Sequence, residues 1–217
     1  MTRIIGSRIL KTPCCGSTMK SEAYASINMS VAENWTDGKM VGTLFNRDGQ
    51  LRRCICGHLF FLRDAMTDVV IRKNDPNLSA ESIPSAIFIK DDELNALLKS
   101  QSHELDIEIT LRKRLWQYTN DSFRDTYREF KKSNKNSFPT YSLTLEQTEN
   151  LEHLKKLLIK QSSKNSLILS EINRALGHMN EALACLKDLE QDDDESFVNI
   201  MTLLIDLKYR GPARYRT

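Results

Sequence analysis

Two tightly spaced pairs of cysteines constrain this 217-residue chain more than any other feature of its sequence. Cys14 and Cys15 are adjacent, Cys54 and Cys56 flank a single residue, and a glycine directly follows each pair. In a reducing compartment, cysteines at such spacing are more typical of metal ligands than of disulfides. A structural zinc ion needs four soft donors at about 2.3 Å, and two turns that approach each other can supply two donors each. The sequence therefore predicts that these four thiolates bind one Zn²⁺.

The residues around each pair fit this interpretation. A glycine after a ligand readily adopts a positive φ, which turns backbone N–H groups towards the thiolate sulfur. The segments Thr-Pro-Cys-Cys-Gly (12–16) and Arg-Cys-Ile-Cys-Gly (53–57), the second followed by the apolar run 58–62, resemble the paired knuckles of zinc-ribbon modules. Those knuckles are turns that usually read Cys-Pro-x-Cys-Gly and lead into a strand. The resemblance covers about the first 65 residues and implies a structural zinc ion.

The match to the knuckle pattern is partial. Cys15 and Cys56 stand at the second-ligand position of each knuckle, but the first-ligand positions hold Thr12 and Arg53. The other cysteine of each pair is displaced from that position, by two residues in the first knuckle and by one in the second. Adjacent cysteines can share one metal only where the turn bends sharply.

Other interpretations of the cysteines remain open at this stage. His58 is an alternative ligand that would replace one of the four thiolates, and an iron–sulfur cluster also uses four thiolates. Cys14 and Cys15 are alternatively inert buried thiols, since free cysteine is among the most buried residue types. A redox role for Cys54 and Cys56 is disfavoured because the Cys-x-x-Cys spacing is absent. A catalytic thiol needs a basic partner, and His58 is the nearest one in sequence.

Around the cysteines the sequence is typical of short strands and tight turns. Residues 24–31 alternate apolar and polar, which predicts a half-buried strand. The dipeptide Asp37-Gly38 predicts a tight turn. Further strands are predicted at 40–45, 51–54 and 59–62, with a second turn at 46–49. A module this small buries little apolar surface and usually needs a staple, which a metal would provide because its binding free energy becomes folding free energy.

Trp35, which precedes the Asp37-Gly38 turn, has two interpretations. An exposed tryptophan beside charged residues would be a hot spot for binding a partner. The interpretation that we favour is an aromatic side chain that flanks the turn and covers the small sheet.

The character of the sequence changes around residues 74–92, where Asn and Pro residues interrupt the pattern. Residues 1–90 hold 12 basic and 8 acidic side chains, whereas residues 91–217 hold 19 and 21. We therefore predict an α+β protein with a small antiparallel, zinc-ribbon-like β module at 1–75, a linker at 76–90 and an all-α domain at 91–217.

In the second half, apolar residues recur three and four apart, as in amphipathic helices. The predicted helices span about 91–102, 103–118, 123–132, 145–161 and 196–209. Thr144 and Gln147 have the spacing of a capping box. Phe123, Tyr127 and Phe130 form a stripe that we expect to be core rather than a platform for stacking bases.

The clearest local pattern in this half is Ile-Asn-Arg-Ala-Leu-Gly-His-Met-Asn-Glu-Ala-Leu (172–183), which resembles the centre of a tetratricopeptide repeat over about 165–190. Gly177 would end the first helix without a Cβ penalty. Ala175 and Ala182 are small enough for two helices to approach closely. The residues expected to fill the groove between them are Leu169, Ile172, Leu183, Leu186 and Leu189. Met179 stands where an aromatic residue is usual, and no second copy follows, so we predict a single repeat-like hairpin.

Charged segments of the second half have simple interpretations. The acidic run 192–195 suits the first turn of a helix, where carboxylates complement the helix dipole. Residues 111–136 carry a net charge of +5 and the tail 208–216 carries +4. Either segment would meet phosphates or an acidic protein, although solvated helix faces and termini are the common case. Cys185 is expected to be a core thiol.

Several function classes find no support in the sequence. No phosphate-binding loop, dinucleotide-binding fingerprint, nucleophile elbow or metalloprotease motif occurs. The net charge of +2 does not by itself indicate a nucleic-acid binder. No apolar run approaches about 18 residues, and the N-terminus lacks the apolar core of a signal peptide, so we expect a cytoplasmic protein without a membrane span.

The expected function is that of a non-catalytic zinc-binding adaptor or scaffold. Repeat-like helical hairpins commonly present protein-binding surfaces, so the helical half is expected to dock a protein partner. A first alternative is a nucleic-acid-binding protein that uses the zinc-ribbon-like module, whose basic residues near the second cysteine pair are Arg47, Arg52, Arg53 and Arg63. A second alternative is a metal- or thiol-dependent enzyme, which would need an open coordination position or an activated thiol.

Overall fold

The structure, a computed structural model, has the predicted α+β layout, with small antiparallel sheets preceding a helical region. The residues that it describes are 2–26, 30, 32–42, 51–73, 80–133, 137–161, 165–189 and 195–215. The strands of these residues are β1 (Arg3–Lys11), β2 (Thr18–Ser26), β3 (Glu33–Trp35), β4 (Met40–Val41), β5 (Leu51–Arg53), β6 (Leu59–Phe61), β7 (Met66–Arg72), β8 (Ile87–Phe88) and β9 (Arg214–Tyr215). Their helices are α1 (Leu94–Ser100), α2 (Leu105–Thr119), α3 (Asp121–Lys132), α4 (Leu145–Lys160), α5 (Ser166–Leu176), α6 (Met179–Lys187) and α7 (Glu195–Asp206).

The chain divides into two compact units, whose boundaries differ from those of the predicted domains. The first unit comprises Met1–Ser30 and Gly42–Leu94, and the second comprises Val31–Val41 and Asn95–Thr217. A short segment from the N-terminal half therefore belongs with the helices. It does so because its side chains, described below, are buried among helical residues and bonded to them.

The first unit contains two three-stranded antiparallel sheets, with strand orders β2-β1-β7 and β6-β5-β8. The predicted strands at 51–54 and 59–62 are present as β5 and β6. The strand predicted at 24–31 begins earlier, at Thr18, and is described as far as Ser26. Residues 27–29 and 31, the turn at 46–49 and the strand residues 43–45 lie outside the described residues.

One apolar cluster of the first unit includes one of the predicted ligands. Its buried members are Leu10, Met19, Cys54, Phe60, Leu62 and Ala86. Because β1 and β2 contribute Leu10 and Met19 while β6 contributes Phe60, the cluster holds the ends of two hairpins together. This packing positions the two cysteine pairs.

In the second unit the helices pack largely on their neighbours in sequence, α4 on α5, α5 on α6 and α6 on α7, with α2 also packed on α4. The predicted capping box is confirmed, because the Thr144 hydroxyl accepts from the Gln147 N–H at 3.2 Å while the Gln147 side chain accepts from the Thr144 N–H at 2.8 Å. Tyr127 is buried, and Phe123 and Phe130 pack against it, so the aromatic stripe is core as predicted. Among the described residues, none of the helices combines the length and the apolar character that a bilayer span requires.

The hairpin β3–β4 packs among the helices, and β9 pairs with β3 to make a three-stranded sheet. Its turn is the predicted one, with Gly38 at a φ of 77° and its N–H bonded to the Trp35 carbonyl at 2.8 Å. Trp35 is fully buried and meets Tyr127 edge-to-face at a centroid distance of 5.3 Å. The interpretation of Trp35 as an exposed hot spot is therefore wrong, and the aromatic covers helical core rather than the cysteine-bearing sheets.

Next to Trp35, two buried polar residues tie this hairpin to the helices. The Asp37 carboxylate is fully buried and pairs with Arg124 of α3, and it also accepts from Asn120 at 2.9 Å. Thr36 donates to Glu171 of α5 at 2.7 Å. Burial of these groups is tolerable because each has a hydrogen-bonding partner.

The predicted helical hairpin is present as α5 and α6. Gly177 ends α5 with a φ of 91°, and the buried Ala175 and Ala182 lie where the helices approach. Ser170 donates to the Ala182 carbonyl across the pair at 2.9 Å. Leu183 is 37% exposed, so its expected place in the groove is wrong: it points to the outer side of α6. The start of the acidic run, 192–194, lies outside the described residues, and α7 begins at Glu195.

Candidate metal centre

The predicted ligands lie at the ends of two hairpins of the first unit. We call residues 12–17, which join β1 to β2, the first knuckle, and residues 54–58, which join β5 to β6, the second knuckle. The first is closed by a hydrogen bond from the Thr12 N–H to the Ser17 carbonyl at 3.0 Å. The second is closed by the Cys54 N–H and the His58 carbonyl at 2.8 Å.

The structure brings the four predicted cysteine sulfurs together. All four Sγ atoms lie within 4.8 Å of one another. Between the knuckles, Cys14 and Cys56 are 3.5 Å apart and Cys15 and Cys54 are 3.6 Å apart, and within the first knuckle Cys14 and Cys15 are 4.0 Å apart. Residues about forty positions apart in sequence thus converge on one point.

These separations fit a single tetrahedral ion. Four sulfurs at about 2.3 Å from a metal in a tetrahedron lie about 3.8 Å from each other. The three sulfur–sulfur distances given above fall on either side of that value. All four cysteines are free thiols in the structure, so each is able to ionise and bind. The donor set and its spacing therefore suit zinc.

The glycine of each knuckle has the conformation that the sequence predicts. Gly16 has a φ of 68° and Gly57 a φ of 92°, and a Cβ atom at either position would meet nothing within 4 Å. The requirement for glycine is therefore one of backbone conformation rather than of space. The turns differ by one residue, since the Gly16 N–H bonds to the Thr12 carbonyl four positions earlier and the Gly57 N–H to the Cys54 carbonyl three positions earlier, each at 2.9 Å.

Hydrogen bonds from the knuckles act directly on two of the sulfurs. The pKa of Cys15 is lowered to about 5. The largest cause is the hydroxyl of Ser17, followed by the hydroxyl of Thr12 and the backbone N–H of Ser17. In the second knuckle the backbone N–H of His58 also lowers the pKa of Cys56. Desolvation and the neighbouring Cys54 thiol outweigh this effect, so the pKa of Cys56 is raised overall. Burial is the main cause that raises the pKa of Cys14 to about 12.

Two hydroxyls support the cluster, and sequence reasoning assigned no role to either. Ser17 Oγ lies 3.0 Å from Cys15 Sγ. Thr12 Oγ1 lies 3.5 Å from Cys15 Sγ and 3.6 Å from Cys54 Sγ. The only available signal was that Thr12 occupies the place of a first ligand in the knuckle pattern. A hydroxyl there contacts two of the sulfurs.

His58, the alternative ligand, lies beside the cluster rather than within it. Its Nδ1 is 3.5 Å from Cys56 Sγ, and the group of atoms close enough to share an ion consists of the four sulfurs. Cys185 belongs to the second unit and is half-buried, with Asn173 donating to its sulfur at 3.6 Å.

Most of the basic residues near the second knuckle make contacts within the first unit. Arg52 is buried and lies 3.5 Å from the centre of the Phe88 ring. Arg53 pairs with Glu93 at 3.5 Å, and the exposed Arg63 pairs with Asp64 at the same distance. Arg47 lies outside the described residues.

The basic cluster at 111–136 also has internal roles. Arg124 is buried against Asp37, and Arg128 binds Glu33 at 2.6 Å. In the tail, Arg210 donates to the Ala175 carbonyl at 2.8 Å. These arginines join parts of the second unit to each other.

No protein-family model, curated protein or solved structure matches this chain, so the centre is interpreted from its own residues and geometry.

Proposed function

We propose that Cys14, Cys15, Cys54 and Cys56 hold one structural Zn²⁺, and that the chain is a non-catalytic adaptor whose helical unit docks a protein partner. The observation that carries the metal assignment is the convergence of four sulfurs, from two hairpin ends, within 4.8 Å. Thiolates are soft ligands of the kind that structural zinc sites use.

A structural role is favoured over a catalytic one. Catalytic zinc keeps a coordination position open for water or substrate, whereas four thiolates fill the tetrahedron. The first unit is also of a kind that benefits from such a staple, because its described residues form two small three-stranded sheets and contain no complete α-helix. Metal-bound thiolates are likewise poor candidates for covalent catalysis, which argues against a thiol enzyme.

A single ion is favoured over an iron–sulfur cluster. A cluster distributes its cysteine ligands over several irons, which separates their sulfurs more widely than one ion does. Here the sulfurs of Cys14 and Cys56 and of Cys15 and Cys54 are within 3.6 Å. A single iron is distinguished from zinc by its visible absorption.

Elemental analysis of the purified chain and of three variants tests the metal assignment. We expect one zinc per chain in the wild type and less than a tenth of that in Cys15→Ser and Cys56→Ser. Cys185→Ser is the matched control, since this thiol lies in the other unit, and it should keep a full equivalent. Zinc that persists in both knuckle variants, or iron in its place, would contradict the proposal.

Partner docking by the helical unit is supported by exposed apolar side chains on its helices. Leu203 and Leu207, at and just beyond the end of α7, are four residues apart and therefore share a helix face. Contiguous exposed apolar patches mark interaction sites, and we take these two leucines as the centre of such a patch. We expect affinity capture from the native host to retain a partner with the wild type and with Thr202→Ala, but not with Leu203→Glu/Leu207→Glu. Equal retention by the glutamate variant would contradict this use of the surface.

Nucleic-acid binding by the first unit is a second candidate, favoured by one observation. Arg8 and Arg72 are exposed on adjacent strands, and pairing of Arg8 with Val70 and of Gly6 with Arg72 puts both arginines on one face of the sheet. Contacts of arginines with phosphates weaken steeply with salt. A filter-binding titration at low salt with single- and double-stranded DNA and RNA tests this candidate, and Arg8→Ala/Arg72→Ala should reduce any retention. No retention of any of these by the wild type would remove it.

A further inference from the structure

Thr12 belongs to the first knuckle, and its side chain also contacts the second. Its side chain is only 3% exposed, although it lies in a loop at the end of a hairpin. Its Oγ1 is within 3.6 Å of Cys15 in the first knuckle and of Cys54 in the second. A hydroxyl buried between two sulfurs must find its hydrogen-bonding partner among them.

In the structure the Cys54 thiol donates to Thr12 Oγ1, and binding of a metal reverses this direction. Thiols give up their protons to become ligands, so a metal-bound sulfur can only accept. The hydroxyl carries a single hydrogen, and it therefore donates to one sulfur at a time. Cys15 already has a second hydroxyl, that of Ser17, at 3.0 Å.

Cys54 needs the Thr12 hydroxyl more than Cys15 does. Cys54 is the buried member of the four, with 1% exposure, whereas the other three are exposed. Water can donate to the exposed sulfurs but not to this one. A buried anionic sulfur without a donor would be costly, because desolvated charge needs compensation.

We propose that Thr12 is a positioning residue of the metal centre: its hydroxyl donates to the Cys54 thiolate, orients it and disperses its charge. This inference rests on the proposed zinc site. Four thiolates and one Zn²⁺ carry a net charge of −2, so a buried donor raises the affinity for the metal. Groups that hydrogen-bond to ligands commonly change metal affinity by about 10–100-fold.

Three variants of the full chain separate the hydroxyl from the shape of the side chain. Thr12→Val keeps the branched shape and removes the hydroxyl. Thr12→Ser and Thr12→Ala both fit the space and differ from each other by one oxygen atom. Thr18→Val is the matched control, because Thr18 is exposed at the start of β2.

Zinc affinity is measured by competition with a chromophoric chelator, and the charge-transfer band from sulfur to metal is recorded after Co²⁺ substitution. We expect Thr12→Val and Thr12→Ala to bind Zn²⁺ at least about 10-fold more weakly. Loss of the hydrogen bond raises the energy of the sulfur lone pairs, so the band should move to longer wavelength. Thr12→Ser and Thr18→Val should match the wild type in both measurements.

The outcomes distinguish this inference from the proposed site. A wild type that shows no tetrahedral Co²⁺–thiolate spectrum overturns the zinc site itself. A wild type with that spectrum, together with Thr12→Val and Thr12→Ala variants of unchanged affinity and band position, overturns the role of Thr12 alone. If Thr12→Val does not fold, the pair Thr12→Ser and Thr12→Ala decides, since an equal loss in both would show that shape rather than the hydroxyl matters.

Discussion

At the scale of single residues, charged side chains have structural roles that composition does not reveal. The hairpin β3–β4 places Glu33 and Asp37 against arginines of α3. Glu33 accepts from Arg128 at 2.6 Å and from Arg214 of β9 at 3.3 Å, and it also accepts from the Trp35 indole at 3.1 Å. The net charge of the chain is near zero, yet several of its ion pairs are partly or fully buried.

Glu33 predicts a specific dependence of stability on pH. Hydrogen bonds from Arg128 are the main cause that lowers the pKa of Glu33 from 4.5 to about 2. A folded-state pKa below the unfolded value stabilises the fold fully above pH 4.5, and this contribution is lost as the pH falls towards 2. We expect Glu33→Gln to reduce the free energy of unfolding by about 2 kcal/mol at pH 7 and by progressively less below pH 4.5.

Urea unfolding at a series of pH values, followed by the fluorescence of the two buried tryptophans, Trp35 and Trp116, measures this difference. Glu129→Gln is the matched control, since its partner Lys132 and the carboxylate itself are exposed, and its cost should be under about 0.5 kcal/mol. A cost of Glu33→Gln that stays constant from pH 7 to pH 2.5 would contradict the assignment.

We expect substitution of Asp37, in the same hairpin, to lower the free energy of unfolding more than substitution of Glu33 does. Asp37→Asn would remove the buried counter-charge of the Arg124 guanidinium and leave it only the half-exposed Asp121. Loss of one member of a buried pair typically costs about 3–5 kcal/mol, and we expect a cost near the lower end of this range because Asp121 remains. The exposed Asp125, 78% accessible and paired with Arg128, provides the control, and Asp125→Asn should cost under about 0.5 kcal/mol. Both costs are read from chemical unfolding at pH 7, and similar values for the two variants would count against the structural role of Asp37.

At the scale of elements, patterns confined to a few neighbouring residues predicted the structure well. The capping box at Thr144, the turn at Asp37-Gly38 and the helix end at Gly177 each depend on local backbone geometry, and each is present. The knuckles were predictable for the same reason, since glycine after cysteine marks a turn with positive φ. Strands β1 and β7 were missed because their residues do not alternate cleanly between apolar and polar.

Long-range polar contacts could not be predicted from the sequence. Thr36 and its partner Glu171 are 135 positions apart, and Asp37 and Arg124 are 87 apart. Nothing in the pattern of 32–41 shows that it packs with helices, because a short hairpin fits equally well on a sheet. The support of the cysteines by Thr12 was missed for the related reason that a threonine carries no ligand signal.

The hairpin of α5 and α6 gives a prediction at this scale. Gly177 has a φ of 91°, and a Cβ atom there would be in ordinary contact with Arg210 at 3.6 Å. Gly177→Ala should therefore cost about 1 kcal/mol through backbone strain alone. Thermal and urea unfolding measure this cost, with the exposed Asn180→Ala in α6 as the control. A neutral Gly177→Ala would show that the turn relaxes without strain.

At the scale of the whole molecule, we expect removal of the metal to destabilise the first unit much more than the second. We expect the first unit to depend on the proposed ion because its described residues form two small sheets, whereas the described part of the second has several apolar clusters and the buried ion pairs described above. After removal of zinc with a strong chelator, hydrogen exchange of β1, β2, β5 and β6 should accelerate at least about 10-fold, while that of α2–α7 stays nearly unchanged. Mass-spectrometric hydrogen exchange on the full chain, before and after zinc is restored, measures both. Uniform acceleration of exchange throughout the chain would contradict the separate dependence.

X-ray absorption at the zinc edge of the purified chain is the sharpest test of the proposed four-cysteine zinc site, because it counts the ligand atoms around the ion and measures their distances. We expect one zinc ion bound by four sulfurs at about 2.3 Å, with no nitrogen or oxygen among its ligand atoms. A shell that includes nitrogen would assign His58 in place of a cysteine. A chain that is folded without a bound metal would contradict the claim that the four cysteines form a zinc site.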